Sequence, residues 1–121
     1  MNSSPALGTT LTRDALRALD GTTVDGRSAL TTAQAAGPLR AVPDWACTEG
    51  TLERRFEFRD FHETMAFVNA VAWIAHRHDH HPDMNVGFRH CHLRYTTHSA
   101  GGLTLKDFIC AACIDALLGH G

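Results

Sequence analysis

The chain has 121 residues, 44% of them hydrophobic and 20% charged, and a formal net charge of -2 at pH 7. These values predict one globular domain with a modest core and no basic surface for nucleic acid. The sequence contains no run of roughly 18 apolar residues, so no membrane span is predicted. The N-terminus lacks the features of a secretory signal, so we expect a cytoplasmic protein.

Residues 1–28 are rich in Ser, Thr and Gly and are predicted to form an N-terminal extension, a candidate flexible segment. An apolar stripe within it predicts one short helix that begins near Thr12. Residues 20–26 then have the composition of turns and loops. We expect residues 29–121 to form the folded domain. The apolar stripe consists of Leu11, Ala15, Leu16 and Leu19.

A second short helix is predicted after Thr31 or Thr32, either of which is a good N-cap residue. Residues 45–48 and 52–59 then predict a β-hairpin that turns near Gly50. In the second of these strands apolar and charged side chains alternate, which is typical of a half-buried antiparallel strand. Its apolar side consists of Leu52, Phe56 and Phe58, and its charged side of Glu53, Arg55, Glu57 and Arg59.

The clearest predicted helix begins at Asp60, which resembles the first residue of a capping box with Glu63. Apolar residues recur after it at helical spacing. The helix is expected to end before Pro82, because the residue that precedes a proline avoids the helical conformation. The apolar positions include Phe61, Met65, Val68, Ala72 and Ala75.

Alternating residues over 84–88 and 91–97 predict a second hairpin, and Thr104 is predicted to cap a final helix. The predicted element order is α-β-β-α-β-β-α. Helices on one face of an antiparallel sheet form the economical α+β arrangement. We therefore expect an α+β fold in which a four-stranded antiparallel sheet carries three helices packed on one face.

The four cysteines include one Cys-x-x-Cys pair, Cys110 and Cys113, within an apolar helical pattern. Free cysteine behaves there as a small apolar residue, whereas a redox pair more typically opens a helix after a strand. We therefore expect buried thiols. Zinc held by this pair and two histidines is a minor alternative.

Seven of the nine histidines lie between His76 and His98. Imidazole titrates near neutral pH and is also the commonest metal ligand, so the cluster predicts either acid–base catalysis or a metal site. The residue types alone leave both open. His76 and His80 would share one face of a helix that reached this far, and His92 and His98 would share the uncovered side of a strand. His62, His78, His90 and His120 are expected to be solvated or hydrogen-bonded bystanders.

Several spaced motifs over residues 30–119 resemble the pterin-4a-carbinolamine dehydratase family. The main motif has four parts in chain order. The first is a residue four positions before a His-His-Pro, and the second is the His-His-Pro itself. A His at the end of a later strand and an Asp beyond it complete the motif. This chain supplies that motif as His76, His80-His81-Pro82-Asp83, Thr96-Thr97-His98, Ala100-Gly101-Gly102-Leu103-Thr104 and Asp107. The upstream matches are Leu39-Arg40-Ala41-Val42, Trp45 and Phe56-x-Phe58-x-Asp60-Phe61.

The resemblance implies metal-free dehydration of a 4a-hydroxytetrahydropterin to quinonoid dihydropterin and water, in support of tetrahydropterin recycling and without a cofactor. It implies that His80 and His98 occupy the acid and base positions, that His81 helps to hold the pterin, and that Asp107 orients a histidine. His76 stands where many members carry Glu. The predicted substrate-binding residues are His76, Asp83, His92, Thr97 and Trp45.

A homodimer or homotetramer is predicted, because the edge strands of a small open sheet favour pairing. Beyond the pterin itself, an aromatic amino acid hydroxylase is a candidate partner. Two other functions stay open. One is a non-catalytic relative that serves as a dimeric binding or assembly module, and the other is a His-rich metal-binding protein. No residue is assigned as a metal ligand.

Overall fold

A computed structural model describes residues 11–118. Four strands form one antiparallel sheet in the order β1-β2-β4-β3, and the helices lie against it, so the predicted α+β fold is confirmed. The first ten residues of the predicted extension, and His120, lie outside the described residues. The elements are α1 (Arg13–Arg17), α2 (Thr32–Ala41), β1 (Ala46–Thr48), β2 (Thr51–Glu57), α3 (Phe61–His78), β3 (Asp83–Val86), β4 (His90–Tyr95), a 3₁₀ turn (His98–Ala100) and α4 (Leu105–Ala116).

The helices cover one face of the sheet and leave the other open, and the side chains of the two central strands alternate between these faces. Leu52 pairs with Tyr95 and Phe56 with Cys91, and these four side chains are at most 4% exposed beneath the helices. The open face carries the intervening polar residues, as the alternation predicts. Those polar residues are Glu53, Arg55, His92 and Arg94.

Helix α3 begins as predicted and ends before Pro82, as predicted. The Asp60 carboxylate accepts from the peptide N–H of Glu63 at 2.8 Å. At the other end Asp79 adopts a left-handed conformation with φ of 49° and caps the helix. Because the helix stops at His78, His80 lies beyond it, and the condition under which His76 and His80 would share one helix face is not met.

Strand β4 ends earlier than predicted, at Tyr95. His98 therefore begins a 3₁₀ turn, and the expectation that it shares one side of a strand with His92 is wrong. Gly101 closes this turn with φ of 76°, a conformation that costs glycine little. The chain then returns along itself, because Thr97 and Gly102 form a β-bridge.

Residues 11–28 pack against the helical layer. Thr12 caps α1 by accepting the N–H of Ala15 at 3.0 Å, and Leu16 is fully buried in the core. None of the helices within residues 11–118 is both long and apolar enough to cross a membrane.

An apolar cavity of about 370 Å³ lies between the start of α2, the β1–β2 turn and the segment that follows the 3₁₀ turn. The β1–β2 turn has positive φ at both Glu49 and Gly50, which matches the twist of a tight hairpin. Cys47, an exposed residue of β1, lines the cavity together with Leu30, Leu39 and Gly102.

Candidate active site

His80 lies just beyond α3, where Asp79 turns the chain away from the helix axis. Its peptide N–H donates to the carbonyl of Ala75 at 3.0 Å, which fixes this turn. The side chain is 11% exposed and reaches α4, where Nε2 lies 2.6 Å from Oδ1 of Asp107. The fold thus brings two of the predicted catalytic residues into direct contact across 27 positions of sequence.

Asp107 is fully buried in the first turn of α4 and is hydrogen-bonded through both oxygens. Its Oδ2 accepts the hydroxyl of Thr97 at 2.8 Å and the peptide N–H of Thr104 at 2.9 Å. Since the Thr97 hydroxyl gives its hydrogen to Asp107, the Thr104 hydroxyl, 2.8 Å away, donates to Thr97. These converging donors hold the carboxylate in one orientation.

The contact with Asp107 assigns the hydrogen on the His80 ring. An ionised carboxylate only accepts hydrogen bonds, so Nε2 of His80 carries the hydrogen and donates it. Neutral His80 then has its lone pair on Nδ1. That atom is therefore the one through which His80 can exchange a proton with a bound molecule.

Tyr95 covers one face of the His80 ring. The ring centroids are 5.6 Å apart and the planes are inclined by 21°. Tyr95 is fully buried, and its hydroxyl lies near the thiol of Cys110. Burial raises the pKa of this hydroxyl far above its ordinary value, so Tyr95 stays protonated and supports His80 by packing.

His98 is next in sequence to a member of the same network. It directly follows Thr97, whose hydroxyl donates to Asp107, and its side chain is exposed. The side chain of His81 is exposed as well. Both imidazoles are therefore accessible to solvent.

His92 lies on the open face of the sheet, where its Nε2 is 2.8 Å from Oε1 of Glu53. Tyr95, which packs under His80, has its side chain on the covered face. The structure thus separates His92 from the pair of His80 and Asp107 by the thickness of the sheet. His80 and His92 therefore do not lie on the same face of the sheet.

Three other predicted substrate-binding residues are placed apart from one another. His76 is exposed on α3 and stacks on the exposed Trp73, with ring centroids 5.8 Å apart. Asp83 is exposed at the start of the edge strand β3. Trp45 is only 3% exposed, and its indole N–H donates to the buried Asp115 at 2.7 Å. Its connection to the site runs through Tyr95, which it contacts at 6.3 Å between ring centroids.

His78, expected to be a bystander, is almost wholly buried, with 2% of its surface exposed. Its Nδ1 accepts the peptide N–H of Gly21 at 3.0 Å, so the hydrogen of the neutral ring is on Nε2, which faces Sγ of Cys113 at 3.7 Å. Burial lowers the pKa of His78, which keeps the ring neutral.

Within residues 11–118, no three His, Cys, Asp or Glu side chains are grouped so that they could hold a metal ion. The four cysteines are free thiols, and Cys110 and Cys113 lie within α4 as expected. Burial raises the pKa of both these thiols, that of Cys110 to about 12.

Sequence reasoning missed two residues that support the site, Thr104 and Tyr95. Thr104 was predicted only as a helix cap, although a cap residue three positions before an Asp predicts that the Asp side chain bonds back to it. Nothing in the pattern indicated that Tyr95 packs against His80, because the contact depends on how the chain turns after α3.

Comparison with known proteins gives one family. The pterin 4 alpha carbinolamine dehydratase family matches residues 28–117. A Nitrosomonas eutropha protein named provisionally as a pterin-4-alpha-carbinolamine dehydratase is 54% identical over 74 residues, which are 61% of this chain and 66% of that protein. A Nitrosospira multiformis protein of the same name is 53% identical over 79 residues, 65% of this chain and 70% of that protein. The chain thus matches about two thirds of the length of these relatives.

Two solved structures share the fold. The transcriptional coactivator/pterin dehydratase of Brucella melitensis is 28% identical with a TM-score of 0.71, covering 74% of this chain and 98% of that one. A pterin dehydratase-like protein described as a RuBisCO assembly factor of the alpha-carboxysome is 26% identical with a TM-score of 0.54, covering 64% of this chain and 89% of that one.

Proposed function

The chain belongs to the pterin-4-alpha-carbinolamine dehydratase family, and we propose that it removes water from a 4a-hydroxytetrahydropterin to give the quinonoid dihydropterin. The observation that carries this proposal is the contact between His80 and Asp107, 2.6 Å long, in a chain that also retains His81 and His98. A buried carboxylate that orients a partly exposed imidazole is an arrangement suited to proton transfer.

The reaction requires two proton movements. The C4a–O bond breaks and its electrons leave with oxygen, which needs a proton to depart as water. A neighbouring ring nitrogen loses a proton, and its electrons form the new C=N bond. One proton is therefore delivered and one is removed, so no net proton, oxidant or reductant is needed.

His80 and His98 divide these two transfers between them. Nδ1 of His80 exchanges one proton with the substrate, while Asp107 stabilises the positive charge that the ring carries when both nitrogens are protonated. His98 serves the opposite transfer from the exposed turn that follows Thr97. His81, exposed beside His80, contributes to holding the pterin.

The remaining predicted substrate-binding residues differ in how directly they can reach the substrate. The exposed His76 and Asp83 are proposed to contact the substrate, and Thr97 is proposed to act through its hydrogen bond to Asp107. His92 lies on the other face of the sheet and Trp45 is buried, so we propose a supporting structural role for both and no contact with the substrate. The product of such an enzyme feeds tetrahydropterin recycling in the cytoplasm, and an aromatic amino acid hydroxylase is the class of enzyme that supplies its substrate.

A stopped-flow assay tests the proposed activity. The 4a-carbinolamine is generated in the cell of the spectrophotometer, and the loss of its absorbance is followed with and without the purified protein. We expect faster loss that EDTA does not abolish. An unchanged rate at stoichiometric protein contradicts the proposal, and loss of activity with EDTA contradicts the metal-free mechanism.

The same assay addresses the assembly-module alternative, which the likeness to the carboxysomal assembly factor supports. A folded protein that is inactive in the assay, despite an intact set of His80, His98 and Asp107, favours that alternative. Elemental analysis of protein purified without a histidine tag addresses the metal-binding alternative, since stoichiometric zinc or copper would support it.

We also propose a homodimer or homotetramer. Phe61 and Phe88 are 48% and 62% exposed, and their rings are stacked 6.2 Å apart with an angle of 2° between the planes. They lie beside the edge strand β3, whose Met84 and Val86 are both 39% exposed. An unpaired strand edge next to exposed apolar residues favours self-association. Light scattering that shows a monomer at micromolar concentration contradicts this part of the proposal.

A further inference from the structure

Residues 20–28, all but the last of which precede the segment matched by the family, run alongside the candidate active site. We call this segment the strap. It makes hydrogen bonds to three residues, each close in sequence to a different candidate catalytic residue. These are His78, two positions before His80, Lys106, directly before Asp107, and Ser99, directly after His98.

Two aspartates give the strap its local shape. Asp20 accepts the peptide N–H of Thr22 at 2.9 Å and its hydroxyl at 2.7 Å, while Asp25 accepts the peptide N–H of Arg27 at 2.8 Å. Such aspartate turns let an irregular segment satisfy its own backbone. Hydrogen bonds within the segment, and not a helix or a strand, therefore set the local shape of the strap.

Gly21 is the firmest point of attachment. Its N–H donates to Nδ1 of the buried His78, and its carbonyl accepts from Nζ of Lys106. The approach is so close that a Cβ on Gly21 would lie 2.8 Å from Cβ of His78 and 2.9 Å from its Nδ1. Only glycine fits here, and the pair of bonds joins the end of α3 to the start of α4.

The second attachment lies at the other end of the strap. The hydroxyl of Ser99 donates to the carbonyl of Gly26 at 3.3 Å, and Gly26 packs against the side chain of Lys106. Two positions after the strap, the N–H of Leu30 donates to the carbonyl of Leu103 at 2.7 Å. The strap thus links the 3₁₀ turn that carries His98 to the helix that carries Asp107.

We propose that the strap sets the relative positions of His80, His98 and Asp107, with His78 as the positioning residue that fastens it. This inference rests on the dehydratase function proposed above. Proton delivery and removal on one small ring require two imidazoles at a fixed separation, and misplacement by about 1 Å can cost about 100-fold in rate. The three candidate catalytic residues come from three different elements, and the strap bonds beside each of them.

Two variants release the strap by different means. Gly21→Ala introduces the close contact with His78, and His78→Leu removes the acceptor for the Gly21 N–H while keeping an apolar side chain in the core. His78→Asn is the conservative variant, because the asparagine Oδ1 can take the place of Nδ1 as acceptor. Gly37→Ala is the matched control, since a Cβ at that helical position meets nothing closer than 4.0 Å.

Two readouts separate strap release from the reaction. Trypsin cleavage after the exposed Arg27, followed by mass spectrometry, reports whether the strap is attached without any reference to activity. The stopped-flow assay then gives kcat and KM. We expect Gly21→Ala and His78→Leu to be cleaved faster and to lose about 10- to 100-fold in kcat, with little change in KM. His78→Asn and Gly37→Ala are expected to resemble the wild type in both readouts.

Faster cleavage after Arg27 with unchanged kcat would overturn the inference, as would equal loss of kcat in His78→Asn and His78→Leu. If His78→Leu does not fold, Gly21→Ala compared with Gly37→Ala makes the same test. If the wild-type protein itself does not dehydrate the carbinolamine, the proposed function fails, a result distinct from a strap that is released without effect on an active enzyme.

Discussion

The carboxylate of Asp107 holds the imidazole of His80 at 2.6 Å, and because Thr97 and Thr104 occupy its other oxygen, it has one orientation in which to do so. The hydrogen on the ring is therefore directed to Nε2, and Nδ1 is left for the substrate. The proposed role of His80 in proton transfer depends on this contact.

Asp107→Asn tests that relation. The amide oxygen would accept from Thr97 and Thr104, so the amide N–H₂ would face Nε2 of His80 and force the ring hydrogen onto Nδ1. We expect kcat to fall by about 100-fold or more, as for loss of a well-placed proton-transfer group. A stopped-flow comparison with the wild type measures it. Near-wild-type turnover would remove Asp107 from the mechanism.

His80→Ala and His98→Ala are each expected to lower kcat by about 10²- to 10⁴-fold, because each removes one of the two proton transfers. His62→Ala, at an exposed position of α3, is the matched control and is expected to leave kcat unchanged. Circular dichroism checks that the variants are folded. If either site variant keeps full turnover, that histidine does not transfer a proton.

Trp45→Phe separates a structural role from substrate contact. The variant removes the indole N–H that donates to the buried Asp115, whose pKa burial raises even though Trp45 and Arg54 both bond to it. We expect the free energy of unfolding to fall by about 1–3 kcal/mol and KM to stay unchanged. Trp73→Phe, at a position that is 70% exposed, is the control. A raised KM with unchanged stability would instead place Trp45 in contact with the pterin.

The pH dependence of stability is expected to contain a contribution from His78. Burial, then the charge of Arg77 and, more weakly, those of His80 and Lys106 lower its pKa from 6.5, while Asp20 acts in the opposite direction. The thiol of Cys113 faces the same ring. Because the folded state then binds fewer protons than the unfolded state, this contribution is present above about pH 6.5 and is lost as pH falls toward the folded pKa.

Urea unfolding of the wild type and of His78→Asn at about pH 7.5 and about pH 5.5 measures this contribution. We expect the wild type to lose more stability between the two values than the variant does, since asparagine does not titrate. The comparison is made between the two pH values for each protein, so a constant effect of the substitution cancels. An equal loss in both proteins would contradict the assignment of this pH dependence to His78.

Much of the fold could be predicted from local sequence. The alternation over residues 52–59 and the helical spacing after Asp60 each depend on neighbours within one element, and both predictions are confirmed. The family was identified from spaced motifs and is confirmed as well. Those motifs indicated His80 and Asp107 together, although only the fold shows that they touch. The chemical roles of the individual site residues stay predictions.

What the sequence did not indicate depends on distant partners. His78 is buried because Gly21, 57 positions earlier, covers it. Arg54 lies on the covered face, where its guanidinium packs over Phe56 at 4.4 Å and bonds to Asp115, 61 positions later, at 2.7 Å. A periodicity pattern cannot register such contacts, because it compares residues only within one element.

Cys47, the exposed cysteine of β1, is suited to selective labelling. Burial raises the pKa of the thiols of Cys91, Cys110 and Cys113, which slows their reaction with alkylating reagents near neutral pH, whereas Cys47 faces solvent at the rim of the apolar cavity. A maleimide fluorophore should therefore label this position selectively in the natural sequence. Since the same cavity is bordered by Gly102, close to the turn that carries His98, the protein provides its own attachment point for an optical sensor of ligand binding.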